Sequence, residues 1–105
     1  MTLSPSELDT MIDLALVQLD DVSGGASLCT MTRAGRSVPA AKYLEGRVAA
    51  LMDLRRFSAQ AATAWADVGS RWADDLERLV EQGAGADWIA YAHGGVDATT
   101  EVLGR

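Results

Sequence analysis

The chain has 105 residues, a net charge of −6 and an apolar fraction of 49%, which suits one helical domain over residues 1–105 and disfavours nonspecific nucleic-acid binding, since that affinity needs clustered cations. Cys29 is the only cysteine, so an intrachain disulfide framework is excluded, and no run of about 18 apolar residues exists to cross a membrane. With no secretory pattern among the first residues, the expectation is a cytoplasmic protein without a membrane partner.

The charge is unevenly spread. Met1 to Val22 carries Glu7, Asp9, Asp13, Asp20 and Asp21 and no basic residue. Ser23 to Ala62 sets Arg33, Arg36, Lys42, Arg47, Arg55 and Arg56 against Glu45 and Asp53 alone, and the remainder is acidic again. Either the oppositely charged elements pack beside one another, or the basic middle faces an anionic partner.

Ser4-Pro5-Ser6-Glu7 predicts a capping box, with Ser4 as N-cap and proline at the first helical position. The helix that follows places Leu8, Met11, Ile12, Ala15, Leu19 and Val22 on one face and Asp9, Asp13 and Asp20 opposite. Leu14 and Val17 break that polarity and mark a second apolar contact, expected with another subunit.

Gly24-Gly25 ends this helix, and the connection to Val38 is long enough to hold structure of its own. The alternation in Ser27 to Thr32, with a turn at Arg33-Ala34-Gly35-Arg36, admits a small β-hairpin between the first two helices, with an irregular loop as the other reading.

From Pro39 to Gly83 the sequence is rich in alanine, leucine and arginine, and Gly46 and Gly69 are the only glycines inside it. One helix over that span would be about 66 Å long, too long for a compact domain of this size, so a break is expected around Ser58 to Thr63. Gly46 reads either as a tolerated helix glycine or as a close approach of another backbone. In the third helix Trp65, Val68, Gly69, Trp72, Leu76, Leu79 and Val80 form one stripe. Gln82-Gly83-Ala84-Gly85 ends it.

A short fourth helix then carries Trp88, Ile89 and Tyr91 and closes at His93-Gly94-Gly95, after which Asp97 caps a last turn or two. The resulting fold is mainly α: three principal helices, a short C-terminal helix and the optional hairpin. With six aromatic side chains and much of the apolar content in alanine, the core of a single copy is thin. A homodimer is therefore expected, with Leu14, Val17, Trp65 and Trp72 at the interface and an unknown protein as a further partner.

Chemistry-bearing motifs are sparse. Gly83-Ala84-Gly85 lacks the third glycine and the preceding strand of a dinucleotide loop. Cys29, His93 and Asp97 are the residue types of a nucleophilic site, but a lone buried cysteine and a helix-end histidine account for them more simply. Asp74, Asp75, Glu77 and Glu81 flank Arg71 and Arg78 and read as a solvated face, not as metal ligands. The strongest binding candidate is Arg33, Arg36, Lys42 and Arg47 around the start of the second helix, where free N–H groups and the helix dipole favour an anion. The expected function is that of a small non-enzymatic interaction or assembly protein with no cofactor; the alternative is a module binding an anionic ligand or nucleic acid through those cations.

Overall fold

The computed structural model describes residues 3–23, 39–57 and 62–104. These form four helices and no strand: α1 (Pro5–Ser23), α2 (Pro39–Arg56), α3 (Ala62–Glu81) and α4 (Ala86–Leu103). The hairpin expected at 27–36 lies outside the described residues.

Each helix boundary has a local cause. At α1 the Glu7 backbone N–H donates to Ser4 Oγ at 3.2 Å while the Ser4 N–H donates back to Glu7 Oε1 at 3.4 Å, which is the reciprocal capping box. α2 stops at Arg56 and α3 begins at Ala62, so the long helical middle is two helices broken where size required it. α3 closes in a Schellman motif. Gly83 takes a φ of 65°, its N–H donates to the Val80 carbonyl, and the Ala84 N–H reaches the Leu79 carbonyl.

α4 differs from expectation. It is not short and does not close at His93-Gly94-Gly95, but runs unbroken for 18 residues to Leu103. A glycine pair inside a helix costs about 2 kcal/mol relative to alanine, so something must offset that cost. The offset is contact with α2 and α3. An ideal Cβ on Gly94 would stand 1.9 Å from the Tyr43 carbonyl oxygen, and one on Gly46 would stand 1.9 Å from that of Tyr91. The bare backbones of α2 and α4 therefore touch at a reciprocal glycine crossing, and the close-approach reading of Gly46 is the correct one.

α2 and α4 share the most extensive contact; α1 covers another side of α2, and α3 packs chiefly on α4. All four helices contribute to one core. Leu8, Ile12 and Ala15 come from α1, Val48, Ala50, Leu51 and Leu54 from α2, Trp65 and Val68 from α3, and Ala98 and Val102 from α4. Thr99 is the buried polar residue of α4, and its hydroxyl donates to the carbonyls of Gly95 and Val96, both at 3.0 Å, so its burial leaves nothing unsatisfied. No described helix is long and apolar enough to cross a membrane.

Candidate interaction surface

Leu14-Ala15-Leu16-Val17 is a run of four apolar residues, and in a helix such a run sweeps about 300° around the axis. Among the described residues α1 packs chiefly on α2, and one packed face covers only one member of the run fully. Ala15 is that member, at 1% exposure, while Leu14 and Val17 remain 59% and 58% exposed and Leu16 is 42% exposed. Their apolar surface is a local consequence of sequence that the described fold leaves open.

Beside this run lies an open groove of about 640 Å³. α1 supplies Leu14, Gln18, Asp21 and Val22 to it, α2 supplies Tyr43, Leu44 and Arg47, and α4 supplies Glu101. The wall facing α1 sets an internally braced polar network beside Leu44. Arg47 Nη2 donates to Glu101 Oε2 at 2.8 Å, and the Tyr43 hydroxyl donates to Asp97 Oδ2 at 2.5 Å. Burial, reinforced by the bond to the Asp97 carboxylate, raises the Tyr43 pKa above its ordinary value, with Arg47 opposing. For Arg47, burial works to lower the pKa, but pairing with Glu101 and then Tyr43 leaves it raised. The guanidinium is permanently charged in this setting.

Of the four cations singled out in the sequence, Arg33 and Arg36 lie outside the described residues. Lys42 sits 3.3 Å from Glu45 and 5.4 Å from the ring centroid of Trp88, while Arg47 is engaged by Glu101. Trp88 and Glu101 are separated by about 20 Å along α4, so Lys42 and Arg47 are drawn towards opposite ends of that helix and form no shared patch. The acids that hold them are on α2 and α4. On α1, Asp9 pairs with Arg55 of α2, both side chains being about half exposed.

The four apolar interface candidates also separate. Leu14 and Val17 face outward. Trp65 is 3% exposed and part of the chain's own core. Trp72 is half-buried, its Nε1 donating to Asp53 Oδ2 at 3.1 Å and its ring lying 5.5 Å from that of Tyr91. The indole stripe on α3 thus packs inward against α2 and α4. Val22 and Leu44 complete the groove's apolar side; both were legible as helical apolar positions, but their partial exposure depends on where α1 meets α2.

His93 Nδ1 and Asp97 Oδ1 stand 4.0 Å apart on the exposed side of α4, and Cys29 lies outside the described residues. On α3, Arg78 pairs with Asp75 at 2.6 Å, and among the described residues no cluster of three His, Cys, Asp or Glu side chains is placed to hold a metal ion. No protein-family model matches the chain, and neither a curated protein nor a solved structure is significantly similar to it.

Proposed function

We propose that the chain is a small non-enzymatic helical interaction and assembly protein whose working surface is the open side of α1 with the adjoining groove. The observation that carries this reading is the exposure of Leu14, Leu16 and Val17 in one turn of α1. Burying a fully exposed side chain of that size is worth roughly 1.5–3 kcal/mol, and at these half-exposed positions about half of that remains for a partner to gain, which supports association when several act together. Self-association is a second reading of the same helix, favoured by Leu16 and Val17, which do not line the groove and need cover of their own. The anionic-ligand alternative draws less support, because Lys42 and Arg47 already have partners in the chain. The lone cysteine suits a reducing, cytoplasmic setting.

The test is sedimentation of the purified chain combined with co-purification from its native host, for the wild type and for a Leu14→Asn, Val17→Asn variant. The expected result is an association, with a second copy or with a reproducible companion, that the variant loses at unchanged helicity. A wild-type chain that stays monomeric and captures no companion in a Leu14-dependent way would refute the reading.

A further inference from the structure

We propose that the groove between α1, α2 and the end of α4 receives a cationic amphipathic helix of another protein. This rests on the reading of α1 as an interaction surface and adds the chemistry of what docks there.

Shape comes first. Leu14 and Val22 on α1 and Leu44 on α2 give the groove apolar contacts from two helices. Leu14 and Val22 are about 12 Å apart along α1, which matches two turns of an incoming helix with anchors at i, i+3 or i+4, and i+7.

Charge then selects among amphipathic helices. Asp21 lines the groove with no ion pair among the described residues, and Asp13 lies on the same outer side of α1. Arg47 is the one cation among the described lining residues, and it is tied to Glu101. The stretch from Met1 to Val22 contributes five acids and no basic residue of its own, and of these Asp9 is taken by Arg55 of α2. A helix flanked by Lys or Arg would therefore pair with the rim while its apolar stripe covers Leu14, Val22 and Leu44. An uncharged helix would desolvate Asp21 without compensation. A second copy docking by its own α1 would set like against like, because a two-fold interface presents the same patch on both sides.

The experiment uses the full chain and two fluorescein-labelled synthetic peptides of about four helical turns, one an amphipathic Leu/Lys sequence and the other its Leu/Glu counterpart, read by fluorescence anisotropy. The Leu/Lys peptide should bind at least about tenfold more tightly than the Leu/Glu peptide, and Leu14→Asn should weaken it by about tenfold, the scale of one buried leucine. Asp21→Asn should weaken binding several-fold and flatten its salt dependence. Asp74→Asn, on the outer side of α3, should leave it unchanged.

Equal binding of the two peptides, binding indifferent to Leu14, or an Asp74→Asn effect as large as that of Asp21→Asn would overturn the proposal in favour of general charge attraction. If the peptides fail while host co-purification still depends on Leu14, the partner chemistry is wrong and the interaction surface stands. Loss of both removes the surface as well.

Discussion

The six-membered ring of Trp72 rests on the backbone of Gly95: a β-carbon at that glycine would fall 2.0 Å from Trp72 Cε3. With Gly46 and Gly94 at the neighbouring crossing, this contact explains how α4 stays helical across two adjacent glycines. Intrinsic propensity alone would make Gly→Ala stabilising by about 1 kcal/mol at each site. Packing reverses the sign. We expect Gly95→Ala to cost about 1–3 kcal/mol through overpacking, and Gly46→Ala or Gly94→Ala to cost at least as much, because the obstructing atom there is a backbone carbonyl that cannot rotate away. Gly69→Ala is the contrast. Its nearest obstruction is Leu103 Cδ1 at 3.0 Å, a side-chain tip on a 44% exposed leucine, so the propensity gain should survive. Urea unfolding of the four variants measures the difference directly.

The α1 capping box predicts that Ser4→Ala destabilises the protein by about 1 kcal/mol. The loss should be larger than for Ser6→Ala, since Ser6 is exposed and no hydrogen bond to its hydroxyl stands beside that of the cap. A shift in the chemical-denaturation midpoint at constant slope is the expected readout.

Trp65 and Leu14 separate stability from association. Trp65 is almost fully covered by its own chain, so Trp65→Ala should cost about 3–5 kcal/mol, a large share of the stability of a domain this size. Leu14→Asn alters an exposed position and should leave the unfolding midpoint close to that of the wild type. Comparing thermal unfolding with sedimentation for the two variants tests both statements, and a strongly destabilised Leu14→Asn would contradict the placement of that side chain.

Tyr43 and Tyr91 should both ionise above the ordinary tyrosine value of 10.0. Burial is the leading cause for each, followed for Tyr43 by its bond to Asp97 and for Tyr91 by the nearby charges of Asp53 and Glu45. A folded-state pKa above the unfolded value means that this contribution to stability is complete below pH 10 and is lost as pH rises through the folded-state values. Tyrosinate absorbance should therefore show no unperturbed phase in the folded protein, and stability should fall through that alkaline range. Tyr43→Phe should be less stable than the wild type at neutral pH, where the hydrogen bond to Asp97 is lost, and should lose less stability on alkalinisation.

Local chemistry wrote much of this fold into the residues themselves. Ser4-Pro5-Ser6-Glu7 specifies the start of α1 because cap and carboxylate lie within one turn, and Gly83 specifies the end of α3 because a left-handed residue is needed there. The break after α2 follows from the limit that chain length sets on one helix. Gly94-Gly95 has no such local signature. The same dipeptide stops a helix in water and serves a close crossing inside a core, and only the position of α2 distinguishes the two.

The candidate surface divides in the same way. Exposure of part of Leu14-Ala15-Leu16-Val17 is fixed by helical period, since one packed face cannot cover a run that encircles the axis. Which indoles are enclosed, which cations find acids and where a groove opens were settled by tertiary packing. Trp65 and Trp72 share a helix face, but α4 lies over that face and turns it into core; Lys42 and Arg47 are close in sequence, but Trp88 and Glu101 draw them apart. Helix period acts over a few residues, whereas those pairings join residues 46 to 54 positions apart in the chain, and only the packed bundle brings them within reach.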